Sequence, residues 1–220
     1  CSIDDSFARF GPIMDIAATA GIPVRGYLSC AFGCPYEGNV ATSAVVSLTA
    51  RLLTLGCYEV AVSDTIGIGT PGDTRRLLAE LLPEFPAAQI ALHFHDTCGQ
   101  ALANVLASID AGITTFDSSV GGLGGCPFAP GASGNLATED LVFMLDGLGI
   151  DTGIDFRILA AAGERISRAL SRKTSSKVAA ALFAAGEIAP FAPAESEYVP
   201  GGEPGEEELP RASNLARISS

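Results

Sequence analysis

The stretch YEVAVSDTIGIGTPGDTRRLLAELLPEFPAAQIALHFHD, residues 58–96, decides the fold. It opens on a short apolar run, 58–64, that ends in Ser63 and Asp64. A glycine-rich link follows, then a helix-period stretch over 73–82, then a second apolar run, 89–96, that ends in His93, His95 and Asp96. Short runs rich in β-branched residues read as buried strands, and the spacing of leucines between them reads as an amphipathic helix. A strand, a helix and a second strand joined by short links make a βαβ unit, whose two strands run parallel.

The same order recurs outward from this unit. Residues 24–32 (VRGYLSCAF) and 113–120 (ITTFDSSV) also read as strands, and 42–55 and 100–111 read as helices. A helix over 3–20 precedes the first strand; Ser2 followed by Asp5 resembles a capping box with a shorter acid. Thr138 opens a helix after the fourth strand. Strand starts fall 34, 31 and 24 residues apart, the length of βα units. Polar residues gather where the strands end, at 63–64, 93–96 and 117–119, which is where α/β proteins place their sites. Such units build a doubly wound sheet or a (β/α)8 barrel. A closed barrel needs eight units and four are present, so the expectation is an α/β chain forming half of a (β/α)8 TIM barrel, with the N-terminal half absent from this chain. Residues 1–185 are read as this partial barrel domain. Residues 186–220 are read as a disordered acidic tail, since seven glutamates, two arginines and five prolines fall in 187–220.

Composition narrows the function. Hydrophobic residues make up 48% and charged residues 17%, enough for a sizeable core, and the net charge of −12 offers no basic stripe for nucleic acid. No apolar run approaches the length of a membrane span. The six cysteines do not sit in a short, loop-rich scaffold, so reduced thiols and an intracellular setting are expected. Cys30 and Cys57 read as small buried hydrophobes; Cys30 and Cys34 lack a second Cys/His pair of matching spacing for zinc.

Four places could carry chemistry. His93 and His95 are two residues apart on one strand and so project from one face; they are either hydrogen-bonded core histidines or ligands for a divalent metal, and their pairing at a strand end favours the metal. Asp64 is a turn former or helix cap, or else a base or anchor of the same site. The run GIGTPG, 67–72, matches the dinucleotide fingerprint on paper. An acid beside it at Asp64, the stiffening Pro71 and two histidines on the next strand favour a tight loop at a barrel mouth instead. Cys126 lies in GGLGGCP, among Gly121, Gly122, Gly124 and Gly125, without the apolar neighbours of a structural cysteine; it is read as a reactive thiol on a loop able to close over a ligand. Asn135 is a turn residue or cap, or offers its carbonyl oxygen to the metal.

At these residues the sequence resembles 3-hydroxy-3-methylglutaryl-CoA lyase. VRGYLSCAFGCPYEGNV, GCYEVAVSDTIGIGTPG, HFHDTCGQALAN, DSSVGGLGGCPFAPGASGNLATEDLVFMLDGLGI and SRKTSSKVA carry the likeness over residues 1 to about 183, with Gly121 and Phe128 the small departures. The resemblance implies a metal-dependent TIM-barrel lyase that cleaves its substrate to acetyl-CoA and acetoacetate in leucine degradation and ketone-body formation. It places the present strands as 5–8 of the barrel. It implies that His93, His95 and Asn135 hold Mg²⁺ or Mn²⁺, that Cys126 is the loop's catalytic acid/base and that Asp64 is an active-site acid. The family's first-strand Arg-Asp pair, whose Asp is a further metal ligand, and a Glu of its second strand region have no counterpart here, so the chain by itself is expected to be inactive. The competing readings are a lyase for a longer branched substrate, such as the isohexenyl compound, and an inactive half-barrel that acts by pairing. Condensing relatives share the His-x-His but lack the cysteine loop. Expected partners are the acyl-CoA substrate, with no nucleic acid and no membrane; a homodimer is left open. The expected location is cytoplasmic in a bacterium and the mitochondrial matrix in a eukaryote.

Overall fold

A computed structural model describes residues 2–125 and 134–188. Four parallel strands lie in the order β1-β2-β3-β4: β1 Arg25–Leu28, β2 Glu59–Asp64, β3 Ile90–Phe94 and β4 Phe116–Asp117. Helices α1 Ile3–Ala20, α2 Thr42–Thr54, α3 Pro71–Leu81, α4 Ala101–Ile109 and α5 Thr138–Gly147 alternate with them. Two more, α6 Phe156–Ala169 and α7 Lys177–Ala184, complete the described chain. The α/β reading with a parallel sheet therefore holds.

Local chemistry explains the boundaries. The capping box of α1 is complete: Ser2 Oγ accepts from Asp5 N–H at 3.0 Å, and the Asp5 carboxylate accepts from Ser2 N–H at 3.2 Å. Thr70 and Asp73 form the same reciprocal pair at α3, with Pro71 pre-set for the first turn. β1 stops at Leu28, four residues short of its expected end, because Cys30 turns the chain with φ 60°. β4 keeps only two residues of an expected eight. Beyond Asp117 the chain leaves β3 and pairs with the segment before α5, Ser119 N–H donating to Leu136 and Thr138 N–H to Ser119.

Register sorts the two faces of the sheet. Ala61 lies opposite Ala91, Ser63 opposite His93, and His93 opposite Asp117. Val60, Val62, Ile90, Leu92 and Phe94, on the other parity, pack with Val45 and Leu52 of α2, Leu77, Leu78 and Leu81 of α3 and Val105 of α4. Every residue of β2 is buried, as expected for a parallel strand covered on both faces.

Beyond β4, Glu139 of α5 is fully buried and its carboxylate accepts Gly121 N–H at 2.9 Å. Gly163 of α6 presses on it: a Cβ there would collide with Glu139 Oε1 and meet Val120 Cγ1 at 3.3 Å. In an open helix Gly→Ala would add roughly 0.5–1 kcal/mol. Here Gly163→Ala is expected to cost about 1–3 kcal/mol through overpacking. Chemical denaturation decides the sign, and an unchanged or higher stability would show that Glu139 yields.

Candidate active site

The inner face of the sheet, away from the helices, carries a charged chain across all four strands. Arg25 Nε donates to Glu59 Oε1 at 2.6 Å, and Arg25 Nη1 donates to Asp117 Oδ1 at 2.8 Å and to Tyr27 Oη at 2.6 Å. The second Asp117 oxygen, Oδ2, lies 3.2 Å from His93 Nδ1. Tyr27 meets the His93 ring edge-on with centroids 6.5 Å apart. Burial pushes the Asp117 carboxyl up, but hydrogen bonds from His93 and Arg25 outweigh it and hold the group below the ordinary aspartate value. Burial likewise disfavours the Arg25 cation, yet Asp117 more than restores it, and its pKa is raised. Arg25 Nη2 is buried with no hydrogen-bond partner among the described residues.

Two of the expected ligands lie side by side next to this network, and the third is tied to one of them through its backbone. His93 and His95 lie 5.3 Å apart between ring centroids, and His95 pairs through its backbone with Asn135. Asn135 Nδ2 donates to Leu123 O at 2.9 Å. Its carbonyl oxygen, Oδ1, is buried and has no hydrogen-bond partner among the described residues. A buried acceptor without a donor is costly, and it is what a cation would satisfy. Two imidazoles and a carboxamide oxygen suit a divalent ion, so these residues fit such a group. All three are neutral as ligands, so the ion's charge must be met by an anion from elsewhere. Among the described residues no three His, Cys, Asp or Glu side chains form a metal cluster by themselves.

Asp64 lies on the other parity, opposite Phe94 in register. Its Oδ1 accepts from Gly67 N–H at 3.0 Å and Ile68 N–H at 3.2 Å, and its Oδ2 accepts from Gly69 N–H at 2.8 Å. The GIGTPG loop thus gives to Asp64 the backbone donors a phosphate would need. Gly67 has φ +67°, and a Cβ there would lie 2.7 Å from Thr97 N; at Gly69 a Cβ would lie 2.7 Å from the Phe32 ring. Burial raises the Asp64 pKa although the three N–H groups lower it. Cys126 lies outside the described residues. The segments on either side of 126–133 meet beside Asn135, where a Cβ on Gly134 would collide with Gly122 O.

Cys57 is buried as expected, Cys30 and Cys34 are half-buried and Cys98 is exposed; these four form no disulfide. No helix among the described residues is long and apolar enough to cross a membrane. Sequence reasoning missed Arg25 and Glu59. The available signal was a charged residue at each of two strand starts, Arg25 inside VRGYL and Glu59 inside YEVAV.

Fold and site together define an α/β protein that presents polar side chains at the ends of parallel strands. The chain belongs to the HMGL-like family, whose model matches residues 1–166. Human mitochondrial hydroxymethylglutaryl-CoA lyase is 56% identical over 181 residues, covering 82% of this chain and 56% of that protein. The hydroxymethylglutaryl-CoA lyase structure from Pseudomonas aeruginosa superposes with TM-score 0.82 at 51% identity, over 84% of this chain and 62% of that one. An HMG-CoA lyase from Acinetobacter baumannii, in complex with coenzyme A and 3-methylmalate, gives TM-score 0.78 at 37% identity, over 87% and 62%. The chain therefore spans little more than half the length of its curated relatives.

The Asp64 cage makes a prediction. A carboxamide has one acceptor oxygen, so Asp64→Asn leaves at least one loop N–H without a partner, at about 1–3 kcal/mol. Because the folded pKa lies above the ordinary 3.8, the folded state holds the proton longer. Stability should fall as pH rises from about 3.8 through the raised folded value. Urea unfolding across that window should show the decline in the parent and not in the variant; equal slopes would sink the assignment.

Proposed function

We propose that this chain supplies one half of the barrel and most of the metal site of a lyase that cleaves 3-hydroxy-3-methylglutaryl-CoA to acetyl-CoA and acetoacetate. The observation that carries the reading is the buried Asn135 Oδ1, which has no hydrogen-bond partner among the described residues and belongs to a residue bridged through its backbone to His95. Family membership and the lyases named above support the substrate. On this reading β1–β4 are strands 5–8 of a (β/α)8 barrel, and 1–185 is the partial barrel domain. The first three residues of the expected tail, 186–188, are instead part of the fold, with Ile188 buried beside Ala160 and Ala179 and Glu187 O accepting from Arg157; its other residues, 189–220, lie outside the described residues.

A bound Mg²⁺ or Mn²⁺ would supply positive charge that polarises the substrate's oxygens. His93 Nε2 and Asn135 Oδ1 would hold it, with His95 completing the set from this chain. Cys126 would then deliver a proton to the acetyl-CoA enolate as carbon–carbon bond cleavage proceeds, on a loop that excludes water. Asp64 serves the site as a buried acid that shapes the loop after β2. Asp117 is engaged through both oxygens, with Arg25 and with His93, so on this reading the anionic ligand comes from elsewhere.

In the whole protein as its cell makes it, acetoacetate release from 3-hydroxy-3-methylglutaryl-CoA should stop on chelation and return with Mn²⁺. Cys126→Ser should lower kcat by about 10²–10⁴. Faster cleavage of a longer branched analogue, or turnover indifferent to chelation, would overturn the reading. The 220-residue chain alone should be inactive for want of an anionic ligand; robust turnover by it would contradict the half-barrel assignment.

A further inference from the structure

We infer that Asp117 is a positioning residue for His93, fixing which imidazole nitrogen carries the proton and which is left to bind. The inference rests on the proposed role of His93 as a ligand. Asp117 Oδ1 is committed to Arg25 at 2.8 Å, so the group stands as a carboxylate and can only accept hydrogen bonds. Its Oδ2, 3.2 Å from His93 Nδ1, therefore requires a proton on Nδ1. In a neutral ring that leaves the lone pair on Nε2.

Arg25 makes this orientation rigid. It is itself held by Glu59 at 2.6 Å and by Tyr27 at 2.6 Å, so the carboxylate that faces His93 is anchored to β1 and, through it, to β2. The side chains of this relay are mostly shielded: exposure is 10% for Glu59, 17% for Arg25, 20% for Asp117 and 22% for His93. Tyr27 also packs against the imidazole in a T-shaped arrangement, with ring centroids 6.5 Å apart. A carboxylate placed this way on a ligating histidine also raises the basicity of the other nitrogen. The relay thus joins four strands in one task, and no residue of it except His93 needs to touch the ion.

The test is ¹⁵N NMR of histidine-labelled, metal-free whole protein above the histidine titration, with His93 assigned by His93→Gln. The parent should show the Nδ1–H tautomer at His93; an Nε2–H tautomer overturns the inference without any variant. In Asp117→Asn the side-chain oxygen stays on Arg25 and the amide NH₂ turns to His93. His93 should then switch to Nε2–H, and calorimetry with Mn²⁺ should show binding weakened by about 10–100-fold. A folded variant whose tautomer and Mn²⁺ affinity both match the parent overturns the inference, because a merely structural fastening would predict that result. If His93→Gln leaves Mn²⁺ binding unchanged, the metal reading falls, while the parent tautomer still decides whether Asp117 orients the ring.

Discussion

One register, that between β2 and β3, governs the rest of the molecule. Ser63 sits opposite His93 and Asp64 opposite Phe94. A slip of one residue would exchange the faces of a strand, driving His93 into the leucines of α3 and Phe94 onto the inner face. The apolar parity, Val60, Val62, Leu92 and Phe94, buries against helices. That burial, at roughly 25 cal/mol per Å² of apolar surface, holds the register against such a slip. The site is thus positioned by residues that take no part in it.

The inner face is then free to be polar. Ala61 and Ala91 are small and fully buried, which leaves room for the longer side chains above and below them. Arg25 and Glu59 occupy the level nearer the strand starts, His93 and Asp117 the level nearer the ends. Breaking one member of such a shielded network strands the charge of another, and that loss exceeds the net worth of any single pair.

Local patterns were legible in the sequence, long-range ones were not. The α1 range and the start of α5 agree with the residue pattern, because Ser2, Asp5 and Thr138 act within a few residues of themselves. The parity of His93 and His95 is likewise a local property of a strand. Helices α6 and α7 escaped, although Asp155 and Ser176 cap them with their own side chains; neither follows a strand, so the βα rhythm gave no cue. The link from Arg25 to Asp117 spans 92 residues, and no period or spacing announces it. Asp64 was legible as an acid at a strand end, but the backbone donors it meets follow from how the loop folds.

The loop after β2 carries its own counter-ion. With Asp64 filling the ring of N–H groups at Gly67, Ile68 and Gly69, its conformation is already selected before any ligand arrives. A ligand docking against it loses little conformational entropy from that stretch of backbone, so more of the contact energy survives as affinity. The same internal anion makes the loop a poor host for phosphate, which would meet a carboxylate where it needs a donor. Order at this rim and discrimination against free anions therefore come from one buried side chain.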